Sequence, residues 1–406
     1  MTTVQGQAWL DASATRAVMT ALEAAGGVGS ARFVGGCIRN ALMDQPVDDI
    51  DIATVLKPDD TVRALRTAGL KAIPTGIAHG TITAVAEGRP FEITTLRRDV
   101  STDGRNATVA FTDDWAEDAA RRDFRLNALY ADAEGRVFDP TGEGIADAAA
   151  GRIIFVGDPE TRIREDYLRI LRFFRFQAWY GRGEPDGSGL AACSALASGM
   201  TRLSAERVSK ELIKLLAAPD PRAAVRAMSR SGVLAEILPD AASDLFEVGA
   251  ALTTDPVQRL GLMLPADADR LRHISVGLRL PNAIRDRLIG AAIAGPEVTL
   301  AMTDAAARAA LYRHGHQAFL DALLRRRAEA EAEAVGEPAD RFAALAESWA
   351  PPSLPVGGRD LARLGVAPGP DTGRLLKAFE AEWIADDFPT SGHAERLERL
   401  VRDARA

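Results

Sequence analysis

Cysteine is nearly missing from this chain: there are two in 406 residues, Cys37 and Cys193. Two cysteines build neither a disulfide framework nor a zinc cluster, and the scarcity suits a reducing, cytoplasmic setting. No apolar run approaches the ~20 residues that a membrane span needs, so no membrane association is expected. The N-terminus, MTTVQGQAWLDAS, lacks a basic stretch followed by an apolar core, and no secretion signal is read there. Histidine is scarce too. His273, His314, His316 and His393 form no metal-ligand pattern, and His314 and His316, two apart on a helix, would point away from each other. Positive charge is not in excess. A net charge of −8 argues against a basic coat for nucleic acid but leaves room for a local basic groove. No internal repeat is visible and no obligatory protein partner is readable.

What is present is an ordinary folded composition, 47% hydrophobic and 26% charged, over a length that exceeds one hydrophobic core. Residues 8–25 read as a helix closed by Gly26-Gly27. The period then changes. ARFV (31–34), DIDIAT (49–54), GTITAVA (80–86) and FEITTL (91–96) predict strands, with helical patterns at CIRNALM (37–43) and DDTVRALRTAG (59–69). From about residue 158 the strand signals stop. Ala/Leu/Arg helical patterns follow, broken by Pro and Gly at 219–221, 295–296, 336–338 and 351–358. The prediction is an α+β protein with an α/β head of about 150 residues and an all-α remainder. RRRAEAEAEAVGEPADR (325–341) reads as an exposed helix and turn. Arginine clusters twice: Arg97, Arg98, Arg105, Arg121, Arg122 and Arg125, then Arg162, Arg164, Arg169, Arg172 and Arg175. Its fixed fork of donors suits phosphate and base edges. A solvated charged face is the plain alternative.

VDDIDIAT (47–54) sets acids inside an apolar frame, although Asp is a poor strand former. Residues two apart on a strand face one side, so Asp49 and Asp51 project together while Ile50 and Ile52 point to the core. Neighbouring carboxylates repel unless a cation sits between them. Such oxygen ligands suit Mg²⁺, which is commonly held by one or two carboxylates plus substrate phosphates. Glu92, opposite in direction to Phe91 and Ile93, joins the pair if its strand lies beside 49–54. Three acids on neighbouring strands serve two-metal phosphoryl or nucleotidyl transfer; edge-strand charges that discourage aggregation are the other reading. Upstream, FVGGCIRNALM (33–43) runs strand, Gly35-Gly36, helix. Glycines admit a ligand close to the backbone, and helix N–H groups with Arg39 one turn in can cradle phosphate. A tight turn is the bland alternative, and the absence of GxGxxG excludes a dinucleotide fingerprint.

A Gly-Gly turn, one helix and a D-x-D strand resembles the nucleotidyltransferase core of the polymerase-β superfamily. More narrowly, VGGCIRNALMDQPVDDIDIAT (34–54) resembles the first signature of the class II tRNA nucleotidyltransferase and bacterial poly(A) polymerase family. The resemblance implies a head with a mixed sheet (1–150), then an all-α neck (151–218), body (219–345) and tail (346–406). It implies that Asp49 and Asp51 bind catalytic Mg²⁺ and that Glu92 completes the site. The family usually carries Arg-Asp where this chain has Arg39-Asn40. TTLRRDVSTDGRNATVAF (94–111) resembles the family's Arg-rich flexible loop. EDAARRDFRLNALYAD (117–132) resembles the next signature, with Arg125 where Thr is common. There Arg122 and Asp123 would hold the ribose hydroxyls with Asn127 in support, a carboxylate that accepts from the 2′-OH favouring ribonucleotides. FDPTGEGIAD (138–147) resembles the hinge signature, with Asp139, Gly144 and Asp147 in place.

In VGDPETRIREDYLRILRFFRF (156–176), Leu168, Leu171 and the Phe residues form a core stripe at helical spacing. Asp166 and Arg169, three apart on the predicted helix, share a face, and Arg172 follows one turn on. Alone they read as an ordinary ion pair. In the resembled family, E-D-x-x-R is a protein template that pairs with the incoming base. A carboxylate accepts from the exocyclic amine of cytosine or adenine while Arg donates to their ring acceptors. Uracil or guanine would set a carbonyl against the carboxylate, a cost of several kcal/mol in order of magnitude. CTP and ATP are therefore expected, with Arg172, Arg39, Gly35 and Gly36 on the triphosphate. LSAERVSKELIKLL (203–216) resembles the last signature. Ser204 reads as its helix cap, Glu206 and Lys210 as an i,i+4 pair, and the element as scaffold. LPVGGRDLARLGVAPGPDTGRLLKAFE (354–380) resembles the tail of bacterial CCA-adding enzymes. Its Gly-rich turns offer N–H groups to RNA phosphates or simply cap helices. The His-Asp phosphohydrolase motif of some relatives is absent. The whole implies a Mg²⁺-dependent enzyme that adds CCA to tRNA from CTP and ATP without a nucleic-acid template. A poly(A) polymerase, or a CC-only or A-only enzyme, would share nearly every head motif. A catalytically silent RNA-binding protein is the reading of another class.

Overall fold

The computed structural model describes residues 2–103, 106–332 and 339–405. Arg105 of the first arginine cluster and residues 333–338 of the 325–341 segment lie outside the described residues. The chain forms two compact units, Met1–Pro239 and Asp240–Ala406. The stretches expected as head and neck share the first unit, and the division falls after Pro239.

Two helices, α1 (Ala8–Asp11) and α2 (Ser13–Gly26), stand where one was predicted over 8–25, because the backbone is extended at Ala12. There follow β1 (Ala31–Val34), α3 (Gly36–Leu42), β2 (Asp51–Thr54), α4 (Pro58–Thr67), β3 (Lys71–Gly76), β4 (Thr81–Ala86) and β5 (Arg89–Thr95). Next come β6 (Arg97–Asp103), β7 (Asn106–Phe111), α5 (Trp115–Ala120), β8 (Tyr130–Ala131), β9 (Val137–Phe138) and α6 (Gly144–Ala150). Seven strands make one mixed sheet in the order β3-β4-β5-β2-β1-β8-β9, and β6 pairs with β7 separately. Within the large sheet β2 and β5 are parallel; the other pairs are antiparallel. Five of these strands were not foreseen from the sequence: β3, β6, β7, β8 and β9. Lys71–Gly76 shows why, since its alternating face is only partly covered and carries Lys, Pro and Thr where a buried strand would carry Val or Ile.

The central strands follow the burial rule of a half-covered sheet. In β4 every second residue is buried, ending with Ile82, Ala84 and Ala86 inside. Ile52, Phe91 and Ile93 are all buried at 1% exposure or less, which fixes the register that leaves Asp51 and Glu92 turned to the other side. A cluster of Val34, Ala53, Leu96, Ala119, Ala128, Tyr130 and Val156 packs there.

Beyond residue 158 the described residues form helices and loops and no strand, beginning with α7 (Pro159–Glu165), α8 (Leu168–Tyr180), α9 (Gly187–Ala195) and α10 (Ala205–Leu216). In the second unit one core gathers around Leu311, Phe319 and Phe342, another around Phe379 and Trp383, and Trp349 packs against both. His314 ends the helix Asp304–His314, and Gly315, at φ 80°, separates it from the helix that starts at His316. The two histidines thus lie on different helices, and His314 pairs with Glu297 at 3.1 Å. At the tail, the N–H of Gly357 donates to the Asp360 carboxylate at 2.9 Å, so that helix start is capped from within.

Candidate active site

The acidic strand is shorter than predicted. Strand β2 begins at Asp51, and Asp49 lies two residues before it. On one side the reason is its neighbour: β1 ends at Val34, where Gly35 at φ 70° turns the chain into α3, so β1 offers no partner to residues 49 and 50. Asp51 nevertheless faces the same side as expected, with Ile50 and Ile52 buried at 4% and 0%. Across the parallel pair Asp51 stands opposite Glu92. Partial burial, the Glu92 carboxylate and the Asp49 carboxylate together push the Asp51 carboxyl up to about 6, against the pull of Arg122. Negative charge is therefore crowded at this point. No three His, Cys, Asp or Glu side chains among the described residues are grouped so as to hold a metal by themselves. A hard divalent cation fits Asp49 and Asp51 as a pair of oxygen donors whose repulsion it relieves, with substrate phosphate and water completing its shell.

Behind this edge lies a buried polar chain. Asp118, 1% exposed, pairs with Arg121 at 2.7 Å and Arg122 at 2.9 Å and accepts from the Tyr130 hydroxyl at 2.8 Å. Burial alone would raise its carboxyl; the two guanidinium groups and Tyr130 bring it down to about 2. Asp123, 9% exposed, accepts from Nε of Arg172 at 2.8 Å and also from its Nη2, from Asn127 Nδ2 at 3.0 Å and from the Phe124 N–H at 2.8 Å. Against the upward push of burial, these partners hold it well below the usual carboxylate range. Asp123, Asn127 and Arg172 are thus brought together, while Arg122 is held by Asp118 and Tyr130.

Arg39 departs from expectation. Instead of reaching out to an anion, its guanidinium is 7% exposed and commits every nitrogen inside the protein. Nε and Nη2 donate to Asn40 Oδ1 at 3.1 and 2.7 Å, Nη1 to Asn127 Oδ1, and Nη2 also to the Tyr180 hydroxyl at 2.8 Å. A buried cation without such partners is costly, and these acceptors draw it inward. Asn40, at the position where the family usually has Asp, serves as one of them. Gly35 and Gly36 sit directly over this group: a Cβ at Gly36 would lie 3.8 Å from Arg39 Nη2, and one at Gly35 3.6 Å from Arg122 Nη1.

The segment expected to read the base also differs from the single helix predicted. α7 ends at Glu165, Asp166 is extended at φ −154°, and α8 starts at Leu168. Asp166 Oδ1 accepts from the Leu168 N–H at 3.1 Å, the short side chain capping the new helix, which is the local chemistry that breaks the old one. Asp166 and Arg169 therefore do not pair as i,i+3 neighbours on one helix. Asp166 Oδ2 accepts from Arg207 at 2.7 Å; Arg169 donates to Glu165 and to the Arg162 carbonyl at 2.7 Å. Arg207 belongs to α10, where Glu211 holds Arg175 at 2.6 Å and Ser204 stands at the cap position without a side-chain bond. Sequence reasoning missed four supporting residues: Asp118, Glu165, Arg207 and Tyr180. Helical spacing to Arg121 and Arg122 could have found Asp118, and the same spacing to Arg169 could have found Glu165. Arg207 stands inside the LSAERVSKELIKLL signature, an element read as scaffold, and nothing local pointed to Tyr180.

Nearby, Asp139 closes the turn before α6 by accepting from Thr141 and Gly142 and from Ile145 in the first turn of that helix. Gly144 is required there, since a Cβ would lie 2.5 Å from the Arg125 carbonyl oxygen. Arg125 pairs with Glu143 and stands 3.7 Å from Asp147.

Residues 31–154 match the family described as poly A polymerase head domain, and residues 186–245 one described as the probable RNA and SrmB-binding site of polymerase A. Fold and site together define a nucleotidyltransferase. The chain is 32% identical over 367 residues to CCA tRNA nucleotidyltransferase 1, mitochondrial, of Mus musculus, covering 87% of this chain and 82% of the relative. It is 30% identical over 398 residues to the CCA-adding enzyme of Limosilactobacillus fermentum, covering 92% and 94%. The crystal structure of the Bacillus stearothermophilus CCA-adding enzyme in complex with CTP superposes with a TM-score of 0.77 at 25% identity, over 96% of this chain and 98% of that one. This chain belongs to the class II tRNA nucleotidyltransferase family, that of the CCA-adding enzymes.

Proposed function

We propose that this enzyme adds C, C and A to the 3′ end of tRNA, drawing on CTP and ATP with Mg²⁺ and no nucleic-acid template. The observation that carries the reading is the pairing of Asp51 with Glu92 across β2 and β5, beside Asp49, in a chain whose near-full-length relatives are named for CCA addition. The 3′-hydroxyl oxygen of tRNA bonds to the α-phosphorus as the bond to the bridging β-phosphate oxygen breaks, and pyrophosphate leaves. Mg²⁺ held by Asp49 and Asp51 would lower the hydroxyl pKa and neutralise the leaving phosphates. Glu92 takes the hydroxyl proton. The Gly35-Gly36 backbone and the Nη1 of Arg172, whose Nε and Nη2 are on Asp123, face the triphosphate, and Arg39 lends positive charge from beneath. Asp123 accepts from the ribose hydroxyl with Arg122 and Asn127 in support. Asp166 and Arg169, each already held by a protein partner, read the base with their remaining lone pairs and N–H groups. Two buried, unpaired cysteines, Cys37 and Cys193, suit a cytoplasmic setting.

The test is incubation of the protein with Mg²⁺, tRNA ending at the discriminator base, and each labelled nucleoside triphosphate in turn. C, C and then A are expected, with UTP and GTP refused. A long A tail would instead indicate a poly(A) polymerase, C alone or A alone a partial enzyme, and no incorporation a silent RNA-binding protein.

A further inference from the structure

Asp123 sits in the middle of a row of side chains that ends at a residue with no assigned role. On one side Arg172 grips its Oδ2. On the other, Asn127 Nδ2 donates to its Oδ1 at 3.0 Å. The Asn127 amide is itself turned by Arg39, whose Nη1 donates to Oδ1 and so leaves the NH₂ half toward Asp123. Arg39 in turn donates through Nη2 to the Tyr180 hydroxyl at 2.8 Å, and its guanidinium carbon lies 4.0 Å from the centroid of the Tyr180 ring. Tyr180 is the last residue of α8, the helix that carries Arg169 and Arg172 near its start.

We propose that Tyr180 is a positioning residue for ribose selection. By fixing Arg39 it fixes the Asn127 amide, and through it the orientation of the Asp123 carboxylate, whose four present donors leave the 2′-hydroxyl to displace one of them. The inference rests on the reading of Asp123 as the ribose carboxylate, and Tyr180 itself touches no substrate. Arg39 is too buried to exchange a lost acceptor for water, so removing the hydroxyl leaves a donor that must move to find a partner. Movement of Arg39 releases Asn127, and an amide that flips would set its carbonyl against the Asp123 carboxylate, acceptor against acceptor. The ring stack holds the guanidinium plane, and without the hydroxyl its rotation within that plane is left to the fork of Nε and Nη2 on Asn40 Oδ1.

The experiment measures kcat/KM for CTP and for dCTP on tRNA lacking CCA, kcat/KM for UTP, and the thermal midpoint, in the wild-type enzyme and in Tyr180→Phe and Tyr180→Leu. Tyr180→Phe is expected to lower the CTP/dCTP preference about three- to tenfold, the worth of one net hydrogen bond. The CTP/UTP preference should stay close to wild type, while the midpoint should fall slightly because a buried donor is left unpaired. Tyr180→Leu should lower the ribose preference further, so that the ring in Tyr180→Phe is a partial rescue. In an Arg39→Lys background, Tyr180→Phe should change nothing more. An unaltered CTP/dCTP ratio in Tyr180→Phe overturns the proposal. So does a parallel fall of base and ribose preference, which would make Tyr180 a mere anchor of α8. A wild-type enzyme that adds nucleotides without preferring CTP to dCTP removes the role of Asp123, and the inference with it. A wild-type enzyme that adds no nucleotide overturns the functional reading itself.

Discussion

Asp51 shows how one carboxylate can be poorly placed for stability and well placed for chemistry. Its folded-state carboxyl stands near 6, above the ordinary 3.8, so the folded protein loses stability as the pH rises from 3.8 to about 6, the loss being full above 6 and absent below 3.8. Asp51→Asn should therefore melt at a higher temperature than wild type at pH 8 and show no such gain at pH 4, by thermal unfolding without Mg²⁺. The same substitution should lower nucleotide incorporation at least ~1000-fold, about 4 kcal/mol of transition-state stabilisation. A variant that melted later and still added nucleotides would separate the acids from the reaction. The D-x-D pattern and the glycine pair made this corner legible. The inward commitment of Arg39 was not, because its acceptors Asn127 and Tyr180 lie 88 and 141 residues away in the chain.

At the scale of the element, the break between α7 and α8 is the feature that matters most. A continuous helix would have placed Asp166 and Arg169 on one face and let them neutralise each other. The cap at Leu168 instead separates them, and Arg207 and Glu165 take up their charges. This leaves an acceptor and a donor that can address a base. Arg169→Ala should lower the preference for CTP over UTP by about 10- to 100-fold, while the dissociation constant for tRNA changes far less. Equal loss of both would count against a base-reading role. Asp166→Asn retains an oxygen for the cap but adds an NH₂ donor, so UTP incorporation should rise relative to CTP, measured in single-nucleotide assays. Four of the nine strands among the described residues and the helical character beyond residue 158 were readable from periodicity, whereas this boundary hung on the choice of Asp between a helix interior and a cap.

For the molecule as a whole, the first unit depends on buried carboxylates that must remain ionised. Asp118 is held near 2 against an ordinary 3.8, and Asp123 is likewise held well below the usual carboxylate range. Depressed values mean stability that is fully present above pH 4 and lost as the pH falls toward 2, about 2 kcal/mol from Asp118 alone. Unfolding followed by circular dichroism between pH 5 and 2 should show this loss, and Asp118→Asn should flatten the slope while lowering stability at pH 7, since it leaves Arg121 and Arg122 with an uncompensated buried charge. An unchanged slope in that variant would place the acid sensitivity elsewhere.

The sequence by itself determined which strands carry acids, where glycine turns the chain, which faces are buried, and that a helical region follows a mixed α/β head. These are local matters of side-chain alternation, turn chemistry and helical spacing. Only the tertiary structure decided that Asp51 stands opposite Glu92, that Arg172 grips Asp123, that Arg207 holds Asp166 and that Tyr180 ends the row behind Asp123. Each of those pairings joins segments far apart in the chain, and their geometry follows from how the sheet and helices pack once their buried faces meet, which no short-range propensity encodes.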